Sequence, residues 1–323
     1  MKEIKITDIE GIRIGHAQDM EGGTGCTVIL CEQGAPTGLD VKGGGPASRE
    51  SELLNPVAAC TGIHGILLSG GSAFGLDAAG GVMQYLEERE IGFDTGVAKV
   101  PLVCQSDIFD LSVGDKNCRP DRDMAYAACV DSEQNQPKQG NVGAGTGASV
   151  GKLAGMEQAM KSGIGMYAVQ LGQLKVGACV VVNALGDIFD YDTGKQLAGM
   201  LNPAKDGFQN SEQTIYQMLE AAPNLFVGNT TIGVVVTNGR FDKTQMNKIA
   251  AMAQNGYART ICPVNTSADG DSLYAMSVGN IEANQDAVGT LAARVVGEAV
   301  KRAVLSAEPA YGLPAARKNL SGV

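Results

Sequence analysis

The chain has no tryptophan and only two histidines, His16 and His64, among its 323 residues. Any Ser-His-acid or Cys-His scheme must draw on one of those two, and a zinc site built mainly on histidine is hard to assemble. Both read as structural. Basic residues number 25 against 35 acidic ones, giving a net charge of -10, and they form no cluster. Nucleic acid and anionic lipid surfaces both need concentrated Lys and Arg, so neither is an expected partner. No segment comes near the roughly 20 apolar residues needed to span a bilayer. The opening MKEIKITDIEGIRIGH also lacks the apolar stretch, about 7 to 15 residues, of a secretion signal. A cytoplasmic protein is expected. The eight cysteines lie in apolar segments such as CTVILC and VGACVVV without a C-x-x-C pair, and read as reduced core residues rather than disulfides or metal ligands.

What the chain does have is glycine, 44 residues of it, about twice the usual share. Strand-like and helix-like pieces alternate without a clear linker, so a single domain over 1–323 is expected. CTVILC and GIHGILLSGG read as buried strands, and SAFGLDAAGGVMQYLEERE as a helix with apolar residues recurring at three and four. QLKVGACVVVNALGDIFDYDTG reads as a strand pair, SEQTIYQMLEAA as a helix capped by Ser211, and TIGVVVTN as a fully buried strand. FDKTQMNKIAAMAQNGYAR reads as an amphipathic helix ending near Gly256, DSLYAMSVG as a strand, and QDAVGTLAARVVGEAVKRAV as a long closing helix. Residues 115–140, rich in charge, Pro and Gln, read as a loop region.

Familiar motifs fail on spacing. GAGTGASVGK lacks the first glycine of a phosphate loop, where Thr146 stands, and has Leu153 where Ser or Thr must follow Lys152. GGSAFG has Phe74 where a nucleophile elbow centred on Ser72 needs glycine; the alternative is a turn leading into the next helix. Asp269 and Asp271, two apart in SADGD, lack the further ligands of a calcium loop, and on spacing alone mark a tight turn before a strand. No metal and no cofactor are expected.

The stretch NLFVGNTTIGVVVTN places Asn229, Thr230 and Thr231 at the mouth of a core strand. If the Asn229–Thr230 bond were cut, Thr230 would carry both a hydroxyl and a free α-amine, whose unperturbed pKa of about 7.7 to 8.0 suits a general base near neutrality. Nucleophile and base would then share one residue, and no histidine would be required. The plainer reading is that two threonines open a β-strand, which they favour.

A resemblance weighs on that choice. ITDIEGIRIGHA, GLDVKGGGPASRESELLNP, ILLSGGSAFGLDAAGGVMQYLEE, GNVGAGTGASVGK, VGACVVVNALGD, NTTIGVVVTN and DGDSLYAMSVG resemble, in order, the successive signatures of the DmpA-type family of L-aminopeptidase/D-esterases and β-peptidyl aminopeptidases. The resemblance implies a four-layer αββα sandwich, usually tetrameric. It also implies a precursor that cuts itself before a Ser or Thr, here Thr230, into chains 1–229 and 230–323. It aligns Asn183 with an oxyanion-hole asparagine, and Asp269 and Asp271 with the Ser and the acid of a Ser-Gly-acid triplet. A second carboxylate at 269 leaves open whether the pair shares a proton or holds the Thr230 ammonium. Ile108 and Phe109 stand near a substrate-pocket segment in which some relatives carry an aromatic hydroxyl. The implied activity is hydrolysis of short peptides, amides or esters with a free amino terminus. Acyl transfer by the same Thr, as in the related ornithine acetyltransferases, and an unprocessed non-enzymatic binding protein remain the alternatives.

Overall fold

The computed structural model describes residues 1–218 and 228–316. The strands that build its two large sheets are β1 (Lys2–Ile4), β2 (Arg13–Asp19), β3 (Thr24–Ala35), β4 (Thr37–Val41), β5 (Ala47–Arg49), β6 (Ile63–Ser69), β7 (Val103–Asp107), β8 (Ile164–Leu171), β9 (Leu174–Asn183), β10 (Thr230–Gly239) and β11 (Ser272–Ile281). One sheet runs β2-β3-β6-β7-β5 and the other β1-β8-β9-β10-β11-β4. The helices are α1 (Ala79–Glu87), α2 (Arg122–Asp131), α3 (Ser211–Gln217), α4 (Lys243–Ala253), α5 (Asn255–Thr260) and α6 (Gln285–Leu305).

Side-chain alternation along each strand sorts these elements into layers, because successive residues face opposite sides. In β10, Ile232, Val234 and Val236 join a core made with Ile29, Ile66 and Leu68 of the other sheet. Val235 faces the opposite way, against Met246, Ile249 and Val296 of α4 and α6. In β9, Cys179 and Val181 go to the inter-sheet core and Val176, Ala178, Val180 and Val182 to the helices. On the far side, Val28, Leu30 and Leu67 meet Val82 of α1 and Ala125 and Ala128 of α2. The order is therefore helix, sheet, sheet, helix, the αββα sandwich expected. With both faces covered, β10 reads as a continuous apolar run.

Four local readings need correction. The segment 115–140 holds α2, capped by Asp121, whose side chain accepts from Met124 N; its apolar stripe is only Ala125, Ala128 and Cys129, masked in the sequence by flanking charge. α3 is capped by Asn210, not Ser211. The Ser211 hydroxyl instead donates to buried Asp187 at 2.8 Å. The expected strand pair at 173–194 does form two strands, but Asp187–Phe189 pairs in a separate small sheet and not with β9. The helix expected over 72–90 begins as a 3-10 turn at Ser72–Asp77 before α1. The C-terminal part of the helix expected at 211–222 and residues 224–227 of the NLFV stretch lie outside the described residues. Among the described residues no helix is long and apolar enough to cross a membrane.

Candidate active site

Thr230 opens β10 and stands directly opposite Asn183, the last residue of β9, in the antiparallel register. Opposed residues of such a pair hold their β-carbons about 4.5 to 5.5 Å apart, so a hydroxyl and a carboxamide are brought together at the sheet end. The neighbour on the other side, β11, runs parallel to β10. The turn that leads into β11, residues 265–271, consequently wraps the start of β10. Asn229 bridges Asp269, donates its N–H to Ala268 O at 3.3 Å and accepts Gly270 N–H on its carbonyl oxygen at 2.8 Å. The Thr230 hydroxyl donates to the same carbonyl oxygen. Both residues are buried, Asn229 at 1% and Thr230 at 4% exposure. Only glycine fits at 270: a β-carbon there would stand 2.8 Å from Thr230 Oγ1.

The two aspartates have different tasks. Asp271 accepts Thr231 N–H on Oδ1 at 2.6 Å and Asn265 N–H on Oδ2 at 3.0 Å, tying the turn to the strand. Asp269 turns back on its own loop, accepting from Thr266 N at 2.8 Å and Thr266 Oγ1 at 2.6 Å. Burial pushes both carboxyls upward, and the charge of Asp269 adds to the effect on Asp271, which reaches about 7. The turn is backed by KGGG: Lys42 and Gly43 N–H groups bond Asp271 O and Gly45 N–H bonds Asp269 O, at 2.8 to 3.2 Å.

Asn183 is fixed from below by Lys152, a residue to which the sequence alone assigns no role. Its Nζ donates to Asn183 O at 2.9 Å and to Asn183 Oδ1 at 2.8 Å, while Ser149 N–H donates to Oδ1 at 3.1 Å. Lys and backbone N–H are donors only, so the atom they converge on must be the amide oxygen. The amide nitrogen then faces the other way, where it donates to Phe109 O at 3.0 Å. Lys152 is buried, and its pKa falls to about 7 through lost hydration, opposed by the charges of Asp269, Asp110 and Asp271. A signal for it existed: Lys152 is the only charged residue between Gly140 and Gly155.

Phe109 contributes its carbonyl to this cluster, whereas Ile108 is fully buried in the inter-sheet core. Neither histidine makes a hydrogen bond to the cluster. His16 Nδ1 lies 2.9 Å from Thr27 Oγ1, with burial lowering its pKa to about 4, and His64 Nδ1 accepts from Leu102 N at 3.2 Å. Ser72 sits at φ +55°, a strained backbone for serine, but neither histidine bonds to it. All eight cysteines are free. Among the described residues no group of three or more His, Cys, Asp or Glu is placed to hold a metal ion.

The model of peptidase family S58 matches residues 5–317. An uncharacterized aminopeptidase of Mycobacterium leprae is 37% identical over 96% of this chain and 92% of its own length. A 6-aminohexanoate-oligomer endohydrolase of Agromyces sp. is 32% identical over 94% of this chain and 86% of its own. Among solved structures, the L-aminopeptidase D-Ala-esterase/amidase of Ochrobactrum anthropi, described as a variant of the Ntn hydrolase fold, superposes with a TM-score of 0.72 at 17% identity, covering 98% of this chain and 92% of that one. A Burkholderia sp. β-aminopeptidase superposes at 0.65 and 20% identity over 94% and 86%.

Proposed function

The chain belongs to peptidase family S58 and is an aminopeptidase-type hydrolase, and from that premise we propose that it cuts its own Asn229–Thr230 bond and then hydrolyses short peptides, amides or esters with a free amino terminus through Thr230. The observation that carries this reading is the junction itself. The Thr230 hydroxyl donates to the oxygen of the carbonyl whose carbon it would attack, and Gly270 N–H already polarises that carbonyl at 2.8 Å. In the first step a bond forms from Oγ1 to the Asn229 carbonyl carbon, the C–N bond to Thr230 breaks, and the hydroxyl proton ends on the freed nitrogen. The result is an ester and a primary amine on one residue.

In turnover that amine takes the proton from Oγ1 as the hydroxyl attacks the substrate carbonyl and passes it to the leaving amine as the acyl-enzyme forms; water then attacks the ester carbon, its proton going through the same amine to Oγ1, which releases the acid and restores Thr230. Asn183, held by Lys152 and Ser149 and with one Nδ2 hydrogen on Phe109 O, would donate its second Nδ2 hydrogen to the developing oxyanion, an interaction that typically lowers the barrier by about 3 to 4 kcal/mol. The β-branch and the paired strand behind Thr230 limit its rotamers, so little ordering is left to the reaction.

A substrate with a free ammonium suits this acidic surround, and it supplies the experiment that tests the reading. Aminoacyl amides should be hydrolysed, and their N-acetylated counterparts should react at least about a hundredfold more slowly, on the usual cost of leaving a buried charge unpaired. Equal rates on the two series would remove the ammonium from the account.

The carboxylate pair sets a pH signature. Asp271 is raised to about 7 by burial and by Asp269, and the Thr230 amine is a base only when neutral, so kcat/KM should rise with pH through about neutrality. In Asp269→Asn the negative neighbour is gone, which lowers the pKa of Asp271 and of the ammonium alike. The acid limb should therefore move to lower pH, and a limb that stays or moves upward counts against the assignment.

A further inference from the structure

The maturation proposed above ends in an ester between Asn229 and Thr230, and something must resolve it. We infer that the side-chain carboxamide of Asn229, rather than water, carries out this step. Two observations converge on it. Among the described residues, both Asn229 Nδ2 and Oδ1 are buried without a hydrogen-bond partner, in a residue whose own backbone N–H and C=O are both satisfied. A buried carboxamide left wholly unpaired carries a desolvation cost that proteins rarely tolerate without a use for the group. The second observation is the closure of the junction. At 1% and 4% exposure for Asn229 and Thr230, the ester carbon lies where bulk water does not reach, whereas Nδ2 is tethered to the same carbon through the residue's own side chain.

The step balances without any added reactant. A bond forms between Nδ2 and the Asn229 carbonyl carbon, closing a five-membered succinimide. The bond from that carbon to Thr230 Oγ1 breaks, and the Nδ2 proton ends on Oγ1, restoring the hydroxyl. The N-terminal chain leaves with a cyclic imide at Asn229, and the C-terminal chain begins with a complete Thr230. Water enters only afterwards, opening the imide to a C-terminal asparagine or isoasparagine. Because the attacking group is intramolecular, its effective concentration far exceeds that of a chance water in a closed site. Attack on the ester is favoured over attack on the original amide, since the alkoxide is the better leaving group; Thr230 therefore acts first and Asn229 second.

The experiment is synthesis of the full chain in a cell-free system made with heavy-oxygen water, quenched in acid at intervals and read by intact mass and by sequencing of the C-terminal peptide of the 1–229 chain. The first 1–229 chain to appear should be lighter by one water than the free acid and should carry no heavy oxygen. Asn229→Ala, and Asn229→Gln with its larger ring, should mature on the order of tenfold or more slowly and give only the acid, with one heavy oxygen. The alanine variant removes a group with no hydrogen-bond partner among the described residues, so it should fold, and circular dichroism checks that; if it does not, the wild-type label pattern alone decides. A wild-type chain that is heavy-oxygen acid from the first time point, or Asn229→Ala maturing at the wild-type rate, overturns the role of Asn229 while leaving cleavage before Thr230 intact. A Thr230→Ala chain that splits with an imide end would sustain the asparagine step and defeat the threonine one, and a wild-type chain that never splits would end both.

Discussion

Replacing Thr230 by alanine should leave one uncut chain of 323 residues and abolish turnover. The expectation follows from asking one residue for three things: the hydroxyl that attacks its own preceding carbonyl, the amine that this attack releases, and the hydroxyl that attacks substrate. Loss of a nucleophile in an acyl-transfer enzyme costs on the order of 10⁶ in kcat. Here the loss should be at least that, since the base is never liberated either. Stability should change little, because among the described residues Thr230 Oγ1 bonds only to Asn229 O and removal of one such contact is a cost of about 1 kcal/mol. Thr230→Ser, which keeps the hydroxyl and gives up the β-methyl, should still mature and turn over, with looser positioning. An alanine variant that comes off a column in two pieces and keeps its activity would exclude Thr230 from both steps.

The second large effect is expected at Asn183. Its carboxamide lies opposite Thr230 in the sheet register, and its orientation is fixed by donors that can only donate, Lys152 Nζ and Ser149 N–H. Asn183→Ala should lower kcat by about 10² to 10³, the usual consequence of removing one oxyanion donor, with a smaller change in KM because the contact strengthens only as charge develops. Asn183→Asp separates charge stabilisation from volume. A carboxylate would accept from Lys152 as the amide oxygen does, yet it has no N–H for the oxyanion, so it should be no more active than alanine. If either variant retained wild-type kcat while KM rose, Asn183 would be a binding group and not an oxyanion donor.

The framework of the site was legible in the sequence, because it rests on local periodicity. β10 and β11 are runs of apolar residues whose alternate members face two different cores, and α6 repeats its apolar positions over 21 residues. α2 was not legible, since small residues carry its buried face and charges flank it. Ser211 does not cap its helix for a reason of the same kind: a carboxylate 24 residues earlier, Asp187, takes its hydroxyl, and nothing in the local sequence announces that partner.

The chemistry of the cluster divides along the same line. Two acids two residues apart were visible, but not that Asp269 binds its own turn while Asp271 reaches 40 residues across to Thr231. Lys152 was hidden because its meaning lies in Asn183, 31 residues further on, and only the β-sheet brings the two together. A lone cation in a glycine-rich stretch is nonetheless a readable anomaly, since burying an ammonium is costly unless something is to be held by it. Here the ammonium holds two acceptors of one residue, Asn183 O and Oδ1, beside the charges of Asp269, Asp110 and Asp271.

Every later step proposed for this chain requires that it first break itself in front of Thr230. Intact-mass spectrometry of the purified wild-type protein, with N-terminal sequencing of each component, tests it most directly. Two chains that correspond to residues 1–229 and 230–323, the second beginning Thr-Thr-Ile, are predicted. One full-length species, unchanged on long incubation near neutral pH and active on aminoacyl amides in that form, would contradict it.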